Sequence, residues 1–198
     1  MKKFLLASLL AVFSFSCDVA QQIAGAYSLT QCKYDFNSIA DLRLVGVNLQ
    51  TAKDLSSLNP IATANLLAAF ASSSKSLPLD FILNLDVKNP NAQTAILNSL
   101  SYILEIDGVQ MTTGSLNERL QVAPNQTAQL PIAISFDLRK VMSGESKDAI
   151  QNLAFNFAGI GNQSSQVTLK LQPSLLINEQ TIKTPGYIPV AFTINKKK

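Results

Sequence analysis

Large apolar residues alternate with polar ones between residues 79 and 87, and this alternation constrains the fold more than any other feature. Successive side chains of a β-strand point to opposite faces, so the pattern predicts a strand with one buried face and one solvated face. The buried set would be Leu79, Phe81, Leu83, Leu85 and Val87. The strand should end at Asn89-Pro90-Asn91, because proline has no N–H to donate to a neighbouring strand.

The same alternation recurs along most of the chain and predicts about seven or eight strands joined by turn signals. Asp107-Gly108 is typical of a tight hairpin turn, and Asn178-Glu179 marks a later turn. The predicted extended segments are Cys32–Phe36, Ile39–Leu49 with a bulge at Gly46, Ile96–Ile106, Val109–Val122 with a break near Gly114, Leu130–Phe136, Val167–Leu171 and Ile188–Ile194. Many short strands separated by turns favour an antiparallel β-sandwich.

Two stretches depart from the strand pattern and predict helical insertions. Asn59-Pro60 supplies an N-cap followed by proline in the first turn, so a helix is expected from Pro60 to Ser72. A second helical piece is expected between Leu138 and Phe157, interrupted at Ser143-Gly144. We therefore predict a mainly β chain, an antiparallel immunoglobulin- or fibronectin-like β-sandwich with one or two helical insertions, forming a single domain over residues 29–195.

The N-terminus has the order of a secretory signal, with Met1-Lys2-Lys3 followed by about ten apolar residues, Phe4–Phe13. This apolar run is too short for a permanent membrane-spanning helix. Ser14 and Ser16 suit a signal peptidase, and Cys17 follows at once. The arrangement resembles the lipobox of bacterial lipoproteins, in the looser form familiar in the Bacteroidota. It predicts removal of residues 1–16, lipidation of Cys17 and a tether over residues 17–28.

Cys17 has two alternative interpretations. It could form a disulfide with Cys32 in an oxidising compartment, or remain an exported thiol. Under the lipidation hypothesis, Cys32 is a lone thiol on a strand that packs as a small apolar side chain. The expected location is then the bacterial cell envelope, at the outer membrane in preference to the inner one.

Composition and charge disfavour enzymatic and nucleic-acid functions. The chain has no histidine and two cysteines, which removes every Ser-His or Cys-His pair and a thiolate zinc site. The formal charge of the whole chain is +3. It is +1 when Lys2 and Lys3 are left out, and −2 when the basic tail, residues 196–198, is left out too. That tail could touch anionic headgroups or be solvated. We expect no enzyme activity, no cofactor, no metal site and no nucleic-acid partner.

The segment Leu83–Asn91, with its strand ending in Asn-Pro-Asn, resembles the late embryogenesis abundant type 2 family, also called the water-stress and hypersensitive-response domain. Ser99–Leu104, Asp107-Gly108 and Gly114 follow in the order and spacing of that family. The resemblance covers Pro78 to about Leu138. It implies an immunoglobulin- or fibronectin-like sandwich without a catalytic motif, and its plant members are linked with desiccation stress. The export signal and the helical insert distinguish this chain from cytosolic members.

Two functions follow as expectations. The first is a lipid-anchored, non-enzymatic β-sandwich of the cell envelope with a binding or structural role. It would be attached to the membrane through Cys17, with an unidentified envelope protein or apolar ligand as its further partner. The alternative is a periplasmic carrier of an apolar small molecule or lipid, in which the Ala- and Leu-rich helix at Pro60–Ser72 covers an apolar cavity between the sheets. That helix could equally cover a sheet edge or the open end of the sandwich.

Overall fold

The computed structural model describes residues 24–25, 27–50, 58–72, 76–141, 148–150, 152–153, 163–177 and 180–194. The first strands and helix are β1 (Lys33–Leu44), β2 (Val47–Asn48), α1 (Pro60–Ala71), β3 (Pro78–Lys88), β4 (Ala95–Leu97) and β5 (Ser99–Ile106). The remaining elements are β6 (Val109–Leu116), β7 (Leu120–Val122), β8 (Thr127–Asp137), α2 (Leu138–Val141), β9 (Ser165–Ile177), β10 (Gln180–Lys183) and β11 (Ile188–Ile194).

These strands form two large antiparallel sheets and a two-stranded ribbon. The first sheet has the order β2-β1-β3-β8, the second has the order β10-β9-β5-β6 with β11 also paired to β9, and β4 pairs with β7. Buried side chains of both large sheets belong to one hydrophobic core. The predicted mainly β, antiparallel architecture is therefore confirmed, although the described residues contain eleven strands instead of seven or eight.

Strand β3 lies at the centre of the first sheet and confirms the alternation from which the fold was predicted. Its inner face is buried from Leu79 to Val87, and it pairs with β8 without interruption from Pro78–Asp137 to Lys88–Thr127. The opposite face is half-buried, not solvated as expected. Neighbouring strands satisfy its polar groups: Ser135 Oγ donates to Asp80 Oδ1 at 2.5 Å, Asn37 Nδ2 to Asp86 Oδ2 at 3.0 Å, and Asn84 Nδ2 to Ser38 Oγ at 3.1 Å.

The prediction of a bulge at Gly46 is wrong. Val45 and Gly46 have φ values of 53° and 75°, so both occupy the left-handed region that a tight hairpin turn between β1 and β2 requires. The irregularities of β1 lie earlier, where its pairing with β3 shifts between Phe36 and Ser38 and again between Ala40 and Arg43. A glycine in an extended sequence signals either a bulge or a turn, and here it is a turn.

The single strand predicted over Ile96–Ile106 is two strands. Residues 95–97 pair with β7, whereas residues from Ser99 onward pair with β6 and β9. Gly114 does not break the return strand, because β6 runs through it to Leu116 and the interruption falls at residues 117–119. Alternation reports which face is buried but does not identify the partner strand, so it did not reveal this change of sheet.

The predicted first helix is confirmed as α1, which begins one residue after its N-cap. The Ala62 N–H donates to Asn59 Oδ1 at 2.8 Å, which satisfies one of the donors left free in a first helical turn. In the second predicted helical region, α2 and residues 148–150 and 152–153 are helical. The expected interruption at Ser143-Gly144 and the turn at Asn178-Glu179 lie outside the described residues.

The end of the predicted tether packs against the domain. Residues 27–30 form a helical turn in which Ser28 and Leu29 are buried. Leu29 therefore does not begin a strand, and Cys32 lies one residue before β1, not within it. Cys32 is buried, as expected for a small apolar side chain. The predicted signal peptide, Cys17 and the basic tail lie outside the described residues.

The register of β3 defines two ends of the domain. We call the end that carries Lys88, Asn89 and Asn91 the asparagine end. The opposite end, where β3 begins beside the last residue of β8, carries α1 and α2 and is the helix end. There the Leu77 N–H donates to Asp137 Oδ1 at 2.8 Å and lowers the pKa of that carboxyl, and Arg139 Nη2 donates to the Ala69 carbonyl of α1 at 3.1 Å.

Substitutions at adjacent positions of β3 test its orientation. Leu85→Ala should lower the free energy of unfolding by about 2–5 kcal/mol, because the Leu85 side chain is fully buried. Asp86→Ala should lower it by less than about 1 kcal/mol, since it removes one exposed hydrogen bond. Urea unfolding followed by circular dichroism measures both values. Equal losses at the two positions would contradict the assigned register.

Candidate functional site

The Asn89 side chain is fully buried at the asparagine end and joins separate parts of the chain. Its Nδ2 donates to the carbonyls of Val122 at 2.8 Å, Gln93 at 2.8 Å and Ala123 at 3.3 Å. Its Oδ1 accepts from the backbone N–H and from Nδ2 of Asn91, at 3.0 and 2.8 Å. The carboxamide therefore fixes the end of β3 to the segment that leads from β7 to β8.

Asn91 extends this arrangement to the N-terminal part of the domain. Its Nδ2 also donates to the Ser28 carbonyl at 2.9 Å, and Cys32 Sγ donates to the same oxygen at 3.4 Å. Tyr34 OH donates to the Leu29 carbonyl at 2.9 Å. We call Ser28, Cys32, Asn89 and Asn91 the asparagine corner. It ties the helical turn at residues 27–30 to the turn after β3.

A second close contact joins the two large sheets. Tyr102 of β5 lies directly opposite Gly114 of β6, and its OH donates to the Ala133 carbonyl of β8 at 3.1 Å. A Cβ atom at position 114 would lie 2.3 Å from Tyr102 Cζ. Gly114 is therefore required because the tyrosine ring passes over its backbone on the way to the other sheet. Gly114 and the segment Ser99–Leu104, which contains Tyr102, carry the family resemblance in the sequence, but no local signal predicts that they pair.

The titratable groups of these contacts are held in their neutral forms. Burial raises the pKa of the Cys32 thiol to about 11, and burial also raises the pKa values of Tyr34 and Tyr102. A thiol with such a pKa is a poor nucleophile at neutral pH. Across the described residues, no three histidine, cysteine or acidic side chains are grouped to bind a metal ion. The corner and the Tyr102 contact thus supply packing and hydrogen bonds, and no reactive group.

A wide, open cavity of about 450 Å³ lies at the helix end. Most of its lining is polar, with two carboxylates, two amides and a hydroxyl, contributed by Asp107, Asp148, Asn152, Gln163 and Ser164 together with the apolar Val109 and Ala149. One carboxylate is already engaged, since Asp107 Oδ1 accepts from the Gln166 N–H at 2.7 Å. Apolar ligands favour concave apolar walls, so this cavity does not suit the carrier function.

The helix predicted as a lid over an apolar cavity packs into the domain through Leu66 and Ala69. Between the sheets, facing side chains such as Leu83, Leu104 and Ile132 are fully buried. The carrier function stays a prediction.

Cys17 is the one residue predicted as a modification site. It lies outside the described residues. In the described part of the chain, no helix is both long and apolar enough to cross a membrane.

The family model for late embryogenesis abundant proteins matches residues 84–183, which is half of the chain. The chain belongs to the late embryogenesis abundant protein family. This confirms the family resemblance seen in the sequence, and the match extends beyond Leu138, where that resemblance became weak. The matched range includes Asn89, Asn91, Tyr102 and Gly114, which make the two structural contacts described above. No curated protein matches the chain.

Three solved structures are similar to the chain at low identity. A crystal structure of a protein from Archaeoglobus fulgidus is 12% identical, with coverage of 80% of this chain and 97% of the other and a TM-score of 0.35. A solution structure from Arabidopsis thaliana is 9% identical, covering 62% and 71%, with a TM-score of 0.40. A solution structure named as a late embryogenesis abundant protein is 12% identical, covering 96% and 85%, with a TM-score of 0.37. These low scores carry no further conclusion.

Replacement of the buried amide tests the asparagine corner. Asn89→Leu keeps a similar volume but removes all five side-chain hydrogen bonds, leaving the carbonyls of Val122 and Gln93 without their donor. We expect the free energy of unfolding to fall by about 3 kcal/mol or more, since each buried unsatisfied group costs about 1–3 kcal/mol.

The control for this variant is Gln93→Leu, which replaces an exposed amide of the same turn by the same apolar residue. The Gln93 carbonyl that accepts from Asn89 belongs to the backbone and is kept. The substitution should therefore change the free energy of unfolding by less than about 0.5 kcal/mol. Similar losses for the two variants in urea unfolding would contradict the role of Asn89.

Proposed function

We propose that this protein is a lipid-anchored, non-enzymatic β-domain of the bacterial cell envelope, of the Bacteroidota lipoprotein type, with a binding or structural role. The observation that carries the proposal is the position of Cys17. It follows the apolar segment Phe4–Phe13 after only three residues, at the position where lipidation requires a cysteine. Two or three acyl chains on one residue hold a protein on a membrane with negligible release.

The structure supports an anchor at this position in one respect. Cys17 precedes the first described residue, Ala24, by seven positions, and the helical turn that follows is held on the asparagine corner. A short connection that ends on a packed segment suits a domain held close to a surface. The two cysteines also differ in kind, since Cys32 is buried with a raised pKa and is a poor substrate for modification.

The non-enzymatic part of the proposal is supported by chemistry and by family. The chain has no histidine, and the conspicuous polar residues of the described part serve as structural hydrogen-bond partners. Membership of the late embryogenesis abundant family favours a stress-related role, which in an exported protein would be exercised in the envelope. We also propose that the two sheets form an immunoglobulin- or fibronectin-like sandwich, in line with the family resemblance.

Acyl labelling of cysteine variants in the host tests the anchor. The wild-type protein should incorporate labelled palmitate and partition into detergent. Cys17→Ser should lose the label and yield an uncleaved precursor or a soluble exported form. Cys32→Ser is the matched control, since it makes the same change at the other cysteine. It should keep both the label and the membrane attachment.

The same pair of variants distinguishes lipidation from a disulfide. A Cys17–Cys32 bond would make the two variants behave alike on non-reducing gels, with each exposing one free thiol. The proposal is wrong if Cys17→Ser remains fully processed and membrane-bound without label. It is also wrong if a band seen only on non-reducing gels is lost in both variants.

A further inference from the structure

Strand β8 forms the outer edge of the first sheet. In the described part of the chain it pairs with β3 alone. An edge strand presents backbone N–H and C=O groups that can pair with a strand of another molecule, and charged side chains commonly prevent such pairing. No residue from Thr127 to Phe136 is charged. The side chains of β8 therefore give its edge no electrostatic protection.

Two hydrogen bonds at the ends of the β3–β8 ladder show which residues of β8 point to the free edge. The Leu138 N–H donates to the Leu77 carbonyl at 2.9 Å, and the Asn89 N–H donates to the Gln126 carbonyl at 2.9 Å. Both bonds keep the register of the ladder, and hydrogen-bonded pairs alternate with unbonded ones. Even-numbered residues of β8 therefore direct their backbone groups to β3. Odd-numbered residues direct theirs to the free edge, and the exposed ones are Gln129, Pro131, Ala133 and Ser135.

Two successive outward positions in the middle of β8 lack a free hydrogen-bonding group. Pro131 has no N–H, so it donates nothing to an added strand. The Ala133 carbonyl already accepts from the Tyr102 hydroxyl of the second sheet at 3.1 Å. An added antiparallel strand bonds to every second residue, so it needs both of these positions in turn. The two interruptions leave only short stretches of β8 on either side that can pair fully.

The core holds the Tyr102 hydroxyl on this carbonyl. The tyrosine side chain is buried, and its ring passes over the backbone of Gly114. Burial also raises the pKa of Tyr102, so the hydroxyl keeps the proton that it donates. The obstruction at Ala133 is therefore part of the packed interior and does not depend on a mobile surface side chain.

Two other edge strands carry comparable interruptions. The Gln50 side chain donates through Nε2 to the Ile39 carbonyl at 3.1 Å, and its Oε1 accepts from the Leu42 N–H at 3.3 Å, so an amide occupies the outer side of β1. Strand β11, which pairs with β9 alone in the described residues, contains Pro189. Interruption of exposed edges is thus a repeated feature of this domain, and at β8 the interrupting donor comes from the opposite sheet.

We propose that the Tyr102 hydroxyl is an autoinhibitory contact, which keeps β8 from accepting a further strand at its free edge. A second copy of the chain always supplies such a strand, because its β8 carries the same alternating outward groups and no charge that would repel the first. While the hydroxyl occupies the Ala133 carbonyl, the two edges stay apart. The inference is independent of the lipid anchor, since every contact in it lies within the described domain.

Hydrogen exchange in a variant that restores the missing donor tests the contact. Pro131→Thr supplies an N–H at the edge, which leaves the Tyr102 hydroxyl as the remaining obstruction. The full-length chain is studied in detergent with micelles in excess over protein, at a low and a high protein concentration. With Tyr102 present, the amides of Gln129, Ala133 and Ser135 should exchange at rates independent of concentration. Tyr102→Phe added to Pro131→Thr should slow their exchange at least about tenfold at the higher concentration, because they pair across the edge.

Tyr34→Phe in the same Pro131→Thr background is the matched control. It also removes a tyrosine hydroxyl that donates to a backbone carbonyl, that of Leu29, but this carbonyl lies in the helical turn and not on β8. The control should leave exchange along β8 independent of concentration, which separates opening of the edge from a general loss of stability. Concentration-dependent protection with Tyr102 present, equal protection in the control, or no protection in the Tyr102→Phe variant would overturn the inference.

Discussion

Asn89 places an uncharged amide in the interior of the domain, and its five side-chain hydrogen bonds determine how the segments around it meet. The backbone after β3 and after β7 leaves the regular sheets, so its buried carbonyls need donors from elsewhere. A side chain with two donors and an acceptor meets that need in a small volume. Asn91 in turn donates to the Ser28 carbonyl, and this hydrogen bond fixes the helical turn at residues 27–30 on the domain.

The asparagine corner also makes the two ends of the domain different from each other. The N-terminal segment is held at one end of β3, while α1 and α2 cover the other end. Between them, the Tyr102 hydroxyl reaches from the second sheet to the Ala133 carbonyl of the first, over the backbone of Gly114. Asn89, Asn91, Tyr102 and Gly114 therefore specify how the two sheets and the segment around Ser28 are joined. The proposed function of the protein depends on where this domain is attached to the membrane.

Strands and helix α1 were predictable because their signals are local. Alternation located the buried face of β3, and the Asn59 cap located the start of α1. Periodicity does not encode contacts with residues that are distant in sequence. Such contacts determine the change of partner between β4 and β5, the packing of Leu29 and the hydrogen bond of Asp86. Asn-Pro-Asn was recognisable as a structural turn, but its bond to Ser28 spans 63 positions. Cys17 was identified from sequence alone.

Hydrogen exchange at the asparagine corner tests the central claim that this corner holds the N-terminal segment on the domain. The Gln31 and Cys32 amides donate to the carbonyls of Ser28 and Leu29. In Asn91→Ala, which removes the bond to Ser28, both amides should exchange at least about tenfold faster than in the wild type, while the amides of β3 remain protected. Unchanged exchange at Gln31 and Cys32, or an equal acceleration throughout β3, would contradict the account.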